Sequence, residues 1–181
     1  MEGIKEQNKM REVEVKIVNI HLYINGKENI SAVPVGFTLL ELLREEIGFL
    51  GTKNGCNSSH CGACTVLLEG KAVNSCTLLA IQADGKHIIT IEGLSEDNKP
   101  HPIQEAFVEE GAIQCGFCTP GMIMSAKDLL DNNSNPSNFE IREALSGNLC
   151  RCTGYAKIID AVKSAASKLN GEKKKFIKEA K

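Results

Sequence analysis

The chain has 181 residues, of which 42% are hydrophobic and 24% charged, a composition that suits one or two water-soluble globular domains. Aromatic residues make up only 4%, with no tryptophan, and 21 basic residues against 23 acidic ones leave a net charge of -2, which excludes a base-stacking platform or a dominant phosphate-binding face; nucleic acid is not the expected partner. The first twenty residues contain no apolar core of the secretory type, and no apolar run approaches the roughly 18 residues of a membrane span, so a cytoplasmic, reducing setting is expected.

Taken in chain order, residues 1–12 are charged and aperiodic and read as a frayed tail. From Val13 β-forming residues alternate as far as Ile24, where Asn25-Gly26 supplies a two-residue type I′ hairpin turn, and a second strand runs toward Val35. Thr38 caps a helix whose apolar positions Leu39, Leu42, Leu43 and Ile47 recur at helical spacing, with Gly48 as its stop. A glycine-rich loop, 51–55, leads to three cysteines and the apolar strand 65–68. Glu69-Gly70-Lys71 turns the chain back, and a further strand over 88–91 closes this part near Leu94.

Ser95 to His101 is polar and proline-punctuated, the composition of a linker. After it the period becomes helical: Pro102 opens a helix that ends at Gly111, and Thr119-Pro120 reads as cap and first residue of a helix to about Leu130. Ser137 and Glu140 have capping-box spacing before a helix stopped by Gly147. Thr153 is expected to cap the last helix, whose apolar stripe is Tyr155, Ile158, Ile159, Val162, Ala165, Ala166 and Leu169. A basic tail, 171–181, follows.

Eight cysteines are out of proportion to the rest. In a reducing compartment they are better read as metal ligands than as four disulfides. They fall into two groups. Cys56, Cys61, Cys64 and Cys76 read C-x4-C-x2-C-x11-C, the spacing of plant-type [2Fe-2S] ferredoxins rather than the paired knuckles of structural zinc. Cys115, Cys118, Cys150 and Cys152 read C-x2-C-x31-C-x-C, which by spacing alone suits a cluster, zinc or a redox dithiol. The C-x-C turn favours a two-iron site, since it can present both thiolates of one iron. Cys118 and Cys152 both directly precede a threonine, a weak internal echo that would place each thiolate at a helix N-terminus, where the helix dipole favours negative charge.

His60 lies between two ligands, but with four cysteines already filling that group it reads as a loop histidine facing solvent or tuning the site. His101 reads as a helix-start residue, Met122 and Met124 as core fillers, Lys173 to Lys175 as part of a solvated tail, and Arg151 either as an offset to cluster charge or as a surface ion pair.

The runs Gly51-Thr52-Lys53 and Cys61-Gly62-Ala63-Cys64-Thr65-Val66, then His101-Pro102-Ile103-Gln104, Gln114-Cys115-Gly116-Phe117-Cys118-Thr119-Pro120-Gly121-Met122 and Gly147-Asn148-Leu149-Cys150-Arg151-Cys152-Thr153-Gly154-Tyr155 resemble the iron-sulfur subunit of molybdenum hydroxylases. The resemblance spans about residues 15–165. It implies an α+β architecture: an N-terminal β-grasp plant-type [2Fe-2S] ferredoxin domain over 13–94, a linker over 95–101, and a C-terminal four-helix [2Fe-2S] domain over 102–170.

It further implies an electron-transfer subunit that binds no substrate. Such a subunit carries single electrons from a molybdopterin-binding large subunit to an FAD-binding medium subunit in a hetero-oligomer. The helical cluster would be proximal to molybdenum and the ferredoxin cluster closer to flavin. By position, Gln114 and Cys152 would lie against the pterin, with Cys152 also an iron ligand. The specific type leans to xanthine dehydrogenase (purine or N-heterocycle hydroxylation), with carbon monoxide dehydrogenase, aldehyde oxidoreductase and nicotinate dehydrogenase as alternatives. From other classes, a zinc-stabilised interaction module and a free-standing two-cluster ferredoxin remain as rivals.

One position departs from the pattern. Where the family usually has glycine three residues after the first cysteine, this chain has Ser59. If positive φ is required there, a side chain costs on the order of 1–2 kcal/mol unless Asn57 absorbs the left-handed turn.

Overall fold

The computed structural model describes residues 15–97 and 99–179, the last eight of these (172–179) as backbone alone. The tail expected over 1–12 and the side chains of Lys173 to Lys175 lie outside the described residues.

Strands β1 (Ile17–Ile24) and β2 (Lys27–Pro34) form the expected hairpin, with Ile24 opposite Lys27. Asn25 at φ 52° and Gly26 at φ 76° give the turn the type I′ twist that matches its strands. Ile20, Leu22 and Ile24 are buried at period two, so one face of β1 supplies core. Helix α1 (Leu39–Glu41) is closed by a capping box, in which Glu41 N donates to Thr38 Oγ1 at 3.2 Å and Thr38 N to Glu41 Oε2 at 2.7 Å. Residues 42–46 continue it as a wider π-turn. Leu40 is also buried, beside Cys64 and Cys76, as well as the expected Leu39, Leu42 and Leu43.

Strands β3 (Thr65–Leu68), β4 (Lys71–Asn74) and β5 (His87–Ile89) complete a five-stranded sheet of order β2-β1-β5-β3-β4, in which only β1 and β5 run parallel. The strand expected over 88–91 stops at Ile89. Thr90 N donates to Asn25 Oδ1 at 2.9 Å and Asn25 Nδ2 to Thr90 Oγ1 at 3.0 Å, so the hairpin side chain takes bonds that a longer strand would need. Residues 91–94 then wind into a 3-10 turn.

Four helices follow: α2 (Pro102–Glu109), α3 (Thr119–Asn132), α4 (Asn138–Ala144) and α5 (Ala156–Glu179). His101 does start α2, its Nδ1 accepting from Ile103 N at 3.2 Å. Ser137 and Glu140 close the expected capping box of α4, which ends at Ala144, before Gly147. Two starts differ from expectation. Thr119 is the first helical residue of α3 rather than its cap, and Cys118 precedes it. Thr153 lies three residues ahead of α5, which also continues through the expected basic tail to Glu179.

Two cores result. One lies between the sheet and α1 and includes Leu22, Leu39, Val66 and Ile88; the other fills the helices with Phe107, Met122, Met124, Ile141, Ile158 and Val162. Strand β3 serves both, since Val66 belongs to the first core and Leu67 to the second. Replacing Phe107, fully buried among the helices, with alanine is expected to lower stability by about 3–5 kcal/mol. Chemical denaturation of the full chain checks this, and a loss below about 1 kcal/mol would contradict the packing described.

Candidate metal centres

All eight cysteines are free thiols, and they fall as one quartet on the loops of the sheet and one on the turns between the helices. Cys56, Cys61 and Cys64 come from the loop that enters β3. Cys76 lies two residues beyond β4, where the turn is stitched to Cys64: Ser75 Oγ and Ser75 N both donate to Cys64 O, at 2.8 and 3.3 Å. Cys115 and Cys118 lie in the turn between α2 and α3, and Cys150 and Cys152 in the turn between α4 and α5.

The first loop is shaped by backbone that side chains rarely adopt. Asn57 and Ser59 are both left-handed, at φ 53° and 63°, so Asn57 does not relieve Ser59 of its strain. Ser59 is held instead by Asn74 of β4, whose Nδ2 donates to Ser59 Oγ at 2.8 Å and to Ser59 O at 3.3 Å. This winding aims amides at sulfur: Ser58 N and His60 N donate to Cys56 Sγ at 3.4 and 3.3 Å. The Ser58 hydroxyl, followed by the amides of Ser58, His60 and Cys61, brings the Cys56 thiol down to about 6. His60 is exposed, with Nδ1 3.0 Å from Ser58 Oγ. The preceding segment is anchored by Arg44, which sequence reasoning did not single out; its Nη1 donates to Leu50 O and Thr52 O at 3.1 and 2.7 Å.

At Cys64 and Cys118 burial dominates. It raises the Cys64 thiol to about 11, with the neighbouring Cys76 thiol adding to the shift. In the second quartet burial, and then the Cys150 thiol, push Cys118 up to about 12. At Cys150 burial pulls upward but is outweighed by the hydroxyl and amide of Thr153 and the amide of Cys152, which bring it down to about 7. The Cys115 thiol pushes Cys152 up.

The sulfurs of the second quartet meet across the two turns. Cys152 Sγ lies 3.6 Å from Cys115 Sγ, and the Cys150 thiol adds to the upward shift of Cys118. Cys152 of the C-x-C turn thus faces Cys115 of the other turn. The cause is local: Thr153 Oγ1 lies 3.1 Å from Cys150 Sγ, and Thr153 N donates to that sulfur at 3.5 Å. Thr153 thus serves Cys150 rather than capping α5, and the echo with Thr119 fails. Tyr155, expected in the apolar stripe of the helix, sits before it at φ 67°, and its hydroxyl accepts from Cys150 N at 2.8 Å while donating to Asn148 O at 3.1 Å.

Among the described residues no three His, Cys, Asp or Glu side chains converge as a single ion would require. The donor set fits a two-centre group better: it offers only sulfur, with Cys152 beside Cys115 and Cys76 beside Cys64, amide donors at Cys56 and Cys150, and buried thiols that resist carrying charge without a cation beside them. Cys115, Cys152 and Gln114 are exposed, while Cys64 and Cys76 are buried.

Two predictions follow from these loops. Ser59→Ala loses the Asn74 bond and keeps the strained backbone, whereas Ser59→Gly loses the bond and relieves the strain; denaturation should find the glycine variant more stable by about 1 kcal/mol. Equal stabilities would mean the left-handed turn is wrong. Tyr155→Phe leaves the Cys150 amide and Asn148 carbonyl without their common partner and is expected to cost about 1–3 kcal/mol, read by thermal unfolding of the same chain.

Comparison with known proteins identifies the two halves of the chain. Residues 22–88 match the family described as 2Fe-2S iron-sulfur cluster binding domain, and residues 90–163 match the [2Fe-2S] binding domain. The chain is 50% identical over 151 residues to the nicotinate dehydrogenase small FeS subunit of Eubacterium barkeri, covering 83% of this chain and 96% of that one. It is 48% identical to the nicotine 6-hydroxylase small subunit of Paenarthrobacter nicotinovorans, covering 86% and 93%. Among solved structures, a chain of quinoline 2-oxidoreductase from Pseudomonas putida 86 superposes with a TM-score of 0.82 at 45% identity, covering 85% of this chain and 96% of that one. With two 2Fe-2S binding domains in this order and relatives matched over nearly their whole length, the chain belongs to the family of iron-sulfur small subunits of molybdenum hydroxylases.

Proposed function

We propose that this chain carries single electrons between a molybdopterin-binding subunit and an FAD-binding subunit of a cytoplasmic hydroxylase acting on an N-heteroaromatic compound. In this reading Cys56, Cys61, Cys64 and Cys76 hold one [2Fe-2S] cluster, and Cys115, Cys118, Cys150 and Cys152 hold the other. Bound there, the clusters supply reversible one-electron redox chemistry, which links the two-electron oxidation of substrate to the two-electron reduction of flavin.

The observation that carries this reading is the unequal exposure of the quartets. Cys115 and Cys152 open to solvent amid exposed Ile113, Phe117 and Leu149. An apolar rim around polar ligands is what a partner subunit covers. Gln114 stands on that rim with a carboxamide able to donate and accept at once, which suits a pterin edge and supports its role there alongside Cys152. On the other quartet, the amides aimed at Cys56 and the burial of Cys64 and Cys76 set the charge and solvation that tune a potential.

The N-heteroaromatic assignment draws on relatives named for nicotinate, nicotine and quinoline. It narrows the xanthine dehydrogenase type expected from sequence to its N-heterocycle branch, while keeping purines within the class. No helix among the described residues is long and apolar enough to cross a membrane.

The complex isolated with this chain should contain about four irons and four acid-labile sulfides per copy of it, and a cysteine-to-serine change in either quartet should remove about two of each. Nicotinate or a related ring should reduce its flavin. Zinc in place of iron and sulfide would end the two-cluster reading. Reduction by aldehydes or carbon monoxide alone would end the substrate assignment and leave the relay intact.

A further inference from the structure

The two quartets are joined by a short stretch of antiparallel contact that lies outside both cores. Leu149 N donates to Cys61 O at 2.9 Å. One residue along, the side chain of Asn148 reaches the next carbonyl, its Nδ2 donating to Gly62 O at 2.9 Å. Asn148 is 3% exposed, and its Oδ1 accepts from Ser125 Oγ of α3 at 2.7 Å. Gly62 O can only accept, so the amide nitrogen must face it and the oxygen must face Ser125. The carboxamide is therefore gripped by three segments: the cysteine loop, α3 and the turn that carries Cys150.

We propose that Asn148 is a positioning residue that holds the span between the two quartets. In doing so it keeps the Leu149 amide on the Cys61 carbonyl, and that bond is the contact a single electron crosses. This inference rests on the two-cluster reading above. From Cys61 Sγ the route runs through that residue's own carbonyl, across one hydrogen bond, and through Leu149 alone to Cys150. The rest of the way is covalent. The transfer makes and breaks no bond and moves no proton: the Cys115, Cys118, Cys150 and Cys152 side loses one electron and the Cys56, Cys61, Cys64 and Cys76 side gains it. Substrate oxidation on the molybdopterin subunit supplies electrons, and flavin consumes them.

Packing supports a positional role. A Cβ built on Gly62 would lie 2.4 Å from Gly147 O and 2.5 Å from Asn148 Nδ2, and one built on Gly121 would lie 2.2 Å from Gly62 O. The backbones thus meet with the Asn148 carboxamide alone set between them, and the hydrogen-bond set centred on it fixes their register.

The test uses the intact complex with Asn148→Asp, which keeps size but sets a second oxygen against Gly62 O, and with Ser125→Ala, which releases the far end of the carboxamide. Four quantities are read: iron and sulfide content, hydrogen exchange of the Leu149 amide, the spin–spin splitting between the two reduced centres in paramagnetic resonance, and the rate at which electrons pass between them after rapid reduction. With iron near four per chain, Asn148→Asp should speed Leu149 exchange, change the splitting and slow transfer about tenfold or more. Ser125→Ala should act the same way to a lesser degree. Full iron with unchanged splitting and transfer rate overturns the role of Asn148 and leaves the two clusters standing. If the unaltered complex lacks the iron and sulfide, the two-cluster reading fails instead. Should Asn148→Asp not fold, an unchanged splitting and rate in Ser125→Ala overturns the proposal by itself.

Discussion

The close approach of Gly62 to Asn148 and Gly121 is the constraint on which the arrangement depends. The cysteine loop must enter β3 while presenting carbonyls to the helical half, and it does so because Gly62 and Gly121 bring no side chain of their own into the contact. Thr65 Oγ1 adds a donor to the same carbonyl, at 2.7 Å from Gly62 O. Buried carbonyls are costly to leave without partners. The contact is therefore satisfied polar surface inside a dry seam, and its directional bonds specify one docking geometry in a way that apolar packing alone does not. The sharing of β3 between two cores extends this: a strand apolar on both faces cannot be exposed on either side, so each half of the molecule completes the burial of the other.

Around this seam the thiols experience two kinds of environment. Donors wound around Cys56 and Cys150 stabilise negative charge through hydrogen bonds, whereas Cys64 and Cys118 lie where burial opposes it. Each quartet contains one thiol of either kind. A thiolate in the buried position is tolerable only when a cation balances it, which couples binding to local order. The hydrogen-bonded positions keep their shape by backbone geometry.

Much of this was legible in the amino-acid sequence because the signals were local. Asn25-Gly26, the Thr38 and Ser137 caps and the cysteine spacings act over a few residues, and the resemblance joined them into one architecture. What was missed depends on partners distant in the chain. Asn25 ends β5 early from 65 residues away, Asn148 was quoted only as part of a motif, and Tyr155 looked like the first rung of an apolar stripe until its hydroxyl was seen to bridge the turn. Thr153 was read as a helix cap because threonine before a helical pattern has that meaning on average. A nearby sulfur offered its hydroxyl and amide a different partner. The pairing of Cys115 with Cys152 could not be read from spacing, since spacing orders ligands along the chain and not around a centre.

The link between α3 and the sheet has a separate consequence. Asp128 of α3 accepts from the Ala72 amide of β4 at 2.9 Å, taking up a donor that an edge strand would otherwise offer to another molecule. Among the described residues the other margin of the sheet is β2, which carries Lys27 and Glu28 at one end and Pro34, which has no N–H to give, at the other. Charge and proline at a margin discourage strand-to-strand association between copies. The sheet is thereby guarded against edge-to-edge growth from one copy to the next.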